Sequence, residues 1–250
     1  MREIIYGRNA VCETLRAGRR QFFGLQLVET IKPAGRIQQI VELAAAHKVP
    51  VTRTPRLKLP DPDVNHQGVA LDASRYPYVD LVDLLDRAKQ QAEPPFVLIL
   101  DSLQDPQNFG VLLRTAEAVG VHGVITPLAR TVEVTPAVVN ASAGATEHLL
   151  IAQSNLSRAI EQLKQEDIWI VGLDQRAESI GPGADRHLRG ALGLIVGSEG
   201  EGLHELTRKK CDFLLQLPMR GRIESLNASV AGSVALYLAF LAQQQNEKRP

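Results

Sequence analysis

Five apolar residues, Phe96-Val97-Leu98-Ile99-Leu100, follow one another without a polar break. A strand buried on both faces reads this way, because neither face alternates toward water. Further apolar stretches that read as strands recur at 123–125, 168–172, 194–196 and 213–217. Helix-spaced segments fall between them, at 111–119, 136–146, 156–165, 203–210 and from about 227 to 245. The segment 136–146 is built of small residues (Ala137, Ala141, Ser142, Ala143, Gly144), which suits close approach of another backbone. Strands alternating with helices predict an α/β fold with a largely parallel sheet covered on both faces.

Before residue 95 the pattern is smaller in scale. A short strand or lead-in at 4–7 precedes a helix over 9–17, with Ala10, Val11, Thr14 and Leu15 on one side, and Gly18 ends it. A strand follows at 24–28. The helix at 36–47 places Ile37, Ile40, Val41 and Ala44 at i, i+3, i+4 and i+7. Strands at 49–52 and 67–71 complete a compact unit. Tyr76-Pro77-Tyr78 and Glu93-Pro94-Pro95 bracket a short amphipathic helix at 81–91. The expected organisation is a small domain over 1–75, a linker over 76–94 and a larger domain over 95–250.

Charge sharpens this division. The chain of 250 residues has no formal net charge, yet residues 1–75 hold 12 Lys and Arg against 7 Asp and Glu, and the remainder holds 16 against 21. The small domain is therefore basic, with clusters at Arg16, Arg19 and Arg20 and at Arg53, Arg56 and Lys58. Arginines on the loops of a basic domain suit phosphate contacts, and these six are the candidate RNA-binding residues. Equally, such charges form ordinary solvated faces.

Composition removes several function classes. Cys12 and Cys211 lie far apart without metal-site spacing, and the six histidines show neither HxH nor HExxH, so no metal is expected. The N-terminus is too short and too charged for a signal peptide. No apolar run approaches the roughly 18 residues of a membrane span. A cytoplasmic protein without a membrane partner is expected.

Three clusters carry candidate chemistry. The strand at 194–196 runs into Gly197-Ser198-Glu199-Gly200-Glu201-Gly202, which has neither GxGxxG spacing nor a P-loop lysine. Asn108 sits where a helix cap is expected. Arg114, six residues on, lies in an otherwise apolar helix (Val111, Leu112, Ala116, Val119), where a buried guanidinium needs a partner and a surface one does not. The strand at 213–217 ends on Pro218, and Ser225-Leu226-Asn227-Ala228-Ser229 then opens the last helix. By residue type alone this is a ligand pocket at strand C-termini or a set of tight turns and caps.

Together, Asn108-xx-Gly110-xxx-Arg114, the 195–202 loop, and Leu217-Pro218-Met219 followed by 225–231 resemble the three motifs of the SpoU (TrmH-like) RNA ribose 2′-O-methyltransferases, in the right order. Residues 5–11 and His66-Gln67-Gly68-Val69 resemble that family's small L30e-like substrate domain, as in its 23S rRNA guanosine methyltransferase branch. The resemblance implies a SPOUT α/β knot, a deep trefoil around 190–240, after an L30e-like domain. It implies S-adenosyl-L-methionine as cofactor, RNA (23S rRNA) as partner, and a homodimer through the C-terminal domain, with the last helix as a candidate interface.

By the same resemblance, Gly197, Leu217 and Leu226 hold adenine and ribose through their backbone, joined by Ser225, Asn227 and Ser229. Arg114, Asn108, Glu199, Ser225 and Asn227 form the catalytic set. The family's proposed base is the residue matching Arg114. An ordinary guanidinium, with a pKa of about 12.5 or above, is a poor base at neutral pH, so the role favoured here is stabilising the alkoxide and clamping phosphate. A different RNA substrate, such as tRNA or an antibiotic-resistance site in rRNA, and a non-catalytic RNA-binding or assembly protein remain the alternatives.

Overall fold

The computed structural model describes residues 2–247 except 62, 130, 180–183, 199, 201 and 223–224. Contacts divide the chain into two units, Met1–Pro77 with Glu133–His148, and Tyr78–Val132 with Leu149–Pro250.

The first unit holds a four-stranded sheet in the order β1 (Arg2–Tyr6), β4 (Val69–Ser74), β2 (Phe22–Val28), β3 (Val51–Thr54). β4 runs antiparallel to both β1 and β2, and β3 runs parallel to β2. Helices α1 (Arg8–Ala17) and α2 (Arg36–Ala46) bury Val11, Leu15, Ile37 and Ile40. Gly18, left-handed at φ 63, ends α1 by donating its N–H to Thr14 O.

Residues 133–148, expected in the larger domain, belong to this first unit. The predicted helix over 136–146 stops early: α5 covers only Pro136–Ala141, and a 3-10 turn spans Ala145–His148. The break is at Ala143 and Gly144, both at positive φ. A Cβ on Gly144 would lie 2.6 Å from Glu13 Cβ and 3.2 Å from Asn9 O, so the small residue does admit a neighbouring backbone, that of α1. The segment is further tied down by Arg20, whose Nε and NH2 donate to Glu147 at 2.9 and 2.7 Å.

In the second unit six strands pair in the order β10 (Phe213–Gln216), β8 (Trp169–Ser179), β9 (Leu192–Val196), β5 (Phe96–Leu100), β6 (Gly123–Pro127), β7 (Ile151–Ser154), every pair parallel. β7 was not expected: its four residues offer only Ile151 and Ala152 to the core. Leu84 and Leu85 of α3 (Leu81–Gln91), and Ala159, Ile160 and Leu163 of α6 (Leu156–Gln165), pack on one face of the sheet. α4 (Pro106–Ala118) and α8 (Ala228–Glu247) pack against each other and are joined by Thr115 Oγ1 and Ser233 Oγ at 2.9 Å. α7 (Glu205–Lys210) links β9 to β10.

Because all strands are parallel, their C-terminal ends share one edge. The chain passes outward from β5 to β6 and β7, then returns on the other side of β5 through β8 and β9. Ligands of open parallel sheets bind beside such a reversal. The knot expected over 190–240 runs through segments that lie partly outside the described residues. No described helix is long and apolar enough to cross a membrane.

Candidate active site

Strand β8 and the segments after β9 and β10 line a cavity of about 450 Å³ at that edge, within the range of sites for one small ligand. Leu173 and Asp174 line it from β8, and Val196, Gly197, Ser198 and Gly202 from the end of β9. Leu217 and Met219 follow β10, and Ser225, Leu226, Asn227, Ala228 and Ala231 come from the approach to α8.

The 197–202 loop is a tight hairpin. Ser198 and Gly202 exchange backbone hydrogen bonds at 3.0 and 3.1 Å. A Cβ on Gly197 would lie 2.6 Å from the Leu203 nitrogen and closer still to Gly202, so glycine is required there. The hairpin is pinned from below. Asp101, buried at the end of β5, accepts from His204 N at 3.0 Å, and its other oxygen lies 2.9 Å from His204 Nδ1.

Asn227 caps α8: its Oδ1 accepts from the backbone N–H groups of Ser229 and Val230 at 2.9 and 3.3 Å. The buried Ser229 hydroxyl lies 2.6 Å from that oxygen and 2.9 Å from the side-chain amide oxygen of Asn108. Two backbone donors fix Asn227 Oδ1 as an acceptor, and the Ser229 hydroxyl bridges it to Asn108. It ties the first turn of α4 to the cavity wall.

Asn108 is not the cap of α4. Asp105 holds that position, accepting from Gln107 N and Asn108 N at 3.3 and 3.0 Å. This leaves the Asn108 side chain for Ser229.

Comparison with known proteins decides what this arrangement belongs to. Residues 95–237 match the SpoU rRNA Methylase family, and residues 4–79 match the family of RNA 2′-O ribose methyltransferase substrate-binding domains. A Bacillus subtilis relative, YacO, carries the name of a TrmH family tRNA/rRNA methyltransferase and is 42% identical over 240 residues, 95% of each chain. The 23S rRNA (guanosine-2′-O-)-methyltransferase RlmB of Coxiella burnetii is 41% identical over 235 residues, 93% of each.

The chain belongs to the SpoU rRNA methylase family.

It is therefore an RNA methyltransferase, and S-adenosylmethionine is its methyl donor. Among solved structures, the SpoU methyltransferase AviRb of Streptomyces viridochromogenes, crystallised with AdoMet, superimposes with a TM-score of 0.78 at 22% identity, covering 98% of this chain and 91% of its own.

Within this SpoU fold the expected cofactor residues Gly197, Leu217, Ser225, Leu226 and Asn227 all line the cavity. Ser229 does not line it; it is buried and acts through its hydrogen bonds. Arg114 is exposed on α4, beside the exposed Val111, and is not among the cavity-lining residues; the partner demanded of a buried guanidinium is not needed. Glu199 lies outside the described residues.

The six basic candidates separate. Arg20 is buried, with its guanidinium on Glu147, Glu3 and the Ser74 carbonyl, so it is a structural cation rather than a phosphate ligand. Arg19 donates to Tyr76 Oη, Pro77 O and Glu147 O, a second structural role. Arg16 is exposed but ion-paired with Glu13, and Arg53 reaches the carbonyls of Glu29 and Ile31. Arg56 and Lys58 are exposed.

Asp101, Asp105, Asp174 and His204 were missed as site residues. Asp101, Asp105 and His204 are single polar residues at element boundaries, where sequence spacing alone marks only a turn, and Asp174 is a lone carboxylate inside a strand. Cys211 carries no nucleophile: burial pushes its thiol up to about 12. No cluster of metal-ligating side chains is present among the described residues.

Proposed function

We propose that this enzyme methylates the 2′-hydroxyl of a guanosine in 23S rRNA, as a homodimer in the cytoplasm. The observation that carries the reading is a strand-end cavity bound by hydrogen bonds to the start of α4, where Asn108 and, farther along the helix, Arg114 stand. The likeness to the Coxiella enzyme over nearly its whole length supports the choice of RNA.

The donor supplies a methyl group made electrophilic by its sulfonium. Gly197, Leu217 and Leu226 bring backbone polar groups and small or apolar surface to the cavity, and Ser225 and Asn227 add side-chain polarity. These five hold the donor. Ser229 positions them by fixing Asn227 and Asn108. Asn108 and Glu199 orient the ribose.

Arg114, an exposed cation, takes an RNA phosphate and stabilises the alkoxide that forms as the 2′-hydroxyl passes its proton to solvent water. Rate then comes from alignment and from fixed charge rather than from a strong base. Arg16, Arg53, Arg56 and Lys58 contact the RNA.

The dimer reading rests on α8. Val230, Val234, Tyr237 and Leu241 are all exposed along it at helical spacing, whereas Ala235, Leu236, Ala239 and Ala242 face the core. Exposed apolar residues in such a row mark an interaction face.

The test is transfer of labelled methyl to 23S rRNA fragments and to tRNA in competition. Label is expected on one ribose of 23S rRNA, within an alkali-resistant dinucleotide. Label confined to tRNA would make this a tRNA enzyme, the substrate that also stands in the YacO name. Transfer to no RNA by protein that binds the donor would overturn the catalytic reading.

A further inference from the structure

Asp174 is the one ionisable side chain among the described residues lining the cavity. It lies on β8 two residues beyond Gly172, and its side chain is only 4% exposed. Arg208 of α7 places its Nε 2.9 Å from Asp174 Oδ2. A buried carboxylate stays charged only with such a partner. An ion pair that served packing alone has no need to form part of a ligand cavity's wall.

Chemistry narrows what the carboxylate meets. An ionised carboxylate only accepts hydrogen bonds, at about four positions, and here it is ion-paired through Oδ2 with Arg208. The donor's own carboxylate is therefore excluded as a partner. Its ammonium and sulfonium are cations, and the Arg208 charge beside Asp174 offsets the attraction for a second cation. The ribose diol is neutral and presents two adjacent O–H donors, which match the two oxygens of one carboxylate.

We propose that Asp174 accepts hydrogen bonds from the ribose hydroxyls of the methyl donor, with Arg208 holding the carboxylate in place. The proposal rests on the cavity being the donor site. It adds a charged side chain to a pocket whose other described lining groups are backbone, neutral polar or apolar. It also makes Asp174 a residue that selects for an intact ribose.

Calorimetry separates the possibilities without measuring turnover. Wild-type protein and Asp174→Asn are titrated with S-adenosylmethionine, S-adenosylhomocysteine and the 2′,3′-dideoxy analogue of S-adenosylhomocysteine. Asp174→Asn is expected to weaken the first two ligands by the same factor, about ten- to a hundredfold, the worth of a hydrogen bond to a charged group. The dideoxy analogue is expected to bind wild type more weakly by a similar factor and to be insensitive to Asp174→Asn.

A loss confined to S-adenosylmethionine would assign Asp174 to the cationic end and overturn the proposal. An equal loss for the dideoxy analogue would show a purely structural role and overturn it too. If Asp174→Asn does not fold, the wild-type comparison decides alone, and equal affinity for the diol and dideoxy ligands overturns the proposal. Wild type that binds none of the ligands would overturn the cavity assignment itself.

Discussion

Removing Arg20 would take from Glu147 its ion-pair partner and leave Glu3 only the looser contact with Arg75 at 3.9 Å, in a site where the arginine side chain is completely buried. Arg20→Met is therefore expected to cost about 3–5 kcal/mol, read as a lower urea midpoint. RNA affinity measured on the folded fraction should not change. His122 is a second buried group with a defined state. Phe96 N–H donates to its Nδ1 at 3.0 Å, so that nitrogen carries no proton, and Nε2 lies 3.2 Å from Glu93. Burial lowers its pKa from the usual 6.5, against the opposing pull of Glu93. The unfolded chain then takes up the proton first, so stability is full above pH 6.5 and falls as pH drops through the window below it. Urea midpoints at pH 7.5 and 5.5 should differ for wild type and differ less for His122→Gln, whose amide oxygen can still accept from Phe96.

At the scale of elements, the hairpin after β9 and the helix α8 carry the site. Gly197→Ala would force its Cβ against the Gly202 backbone, and backbone cannot rotate away as a side chain can. The hairpin must open, and donor affinity is expected to fall at least tenfold, with a loss of about 1–3 kcal/mol in stability. Calorimetry and thermal melting measure the two effects. On α8, Val234→Asp places a charge in the middle of the exposed apolar row. If that row forms the proposed dimer interface, sedimentation should show a smaller species for Val234→Asp than for wild type, and equal sizes would remove α8 from the interface. How these elements could be read varies with their chemistry. Strands buried on both faces announce themselves, as 96–100 and 192–196 do, because no position needs to be polar. The glycine, serine and asparagine loops were legible for the same reason, since only small residues let backbone approach a ligand. β7 was not, having too few apolar positions to show a period. α5 ran on in the sequence because nothing local shows that Gly144 must make room for α1. Asp174 and the Asp101–His204 contact depend on partners 34 and 103 residues away, a distance no local pattern spans.

For the whole molecule, the neutral total conceals a basic first unit and an acidic remainder. Only some of that positive charge is available to RNA. Arg56→Ala with Lys58→Ala is expected to weaken RNA binding and to flatten its dependence on salt by up to about 1.4 in log–log slope for single-stranded contacts. Fluorescence anisotropy across a salt series measures it, and an unchanged slope would remove the pair from the interface. The unit boundary supplies a second test. A fragment of residues 1–77 lacks Glu147, which holds Arg20, and Asn140, which donates to Tyr6 O at 3.1 Å. It is expected to unfold in urea without a cooperative transition. A second chain supplying residues 133–148 as a peptide should restore one.

The loan of residues 133–148 to the first unit also sets an order of events during synthesis. Ribosomes add about 5–20 residues each second, and domains generally close as units while the chain emerges. Here the N-terminal sheet can assemble early, but Arg20 has no Glu147 to neutralise it until nearly three-fifths of the chain has been made. During those seconds the leading half is an unfinished body in which Arg20 has Glu3 but lacks its bidentate partner. A nascent chain paused before residue 148 should therefore be open to proteases at the N-terminal unit. One paused after 148 has cleared the exit tunnel should resist them there, although β8 to β10 of the methyltransferase sheet have yet to emerge.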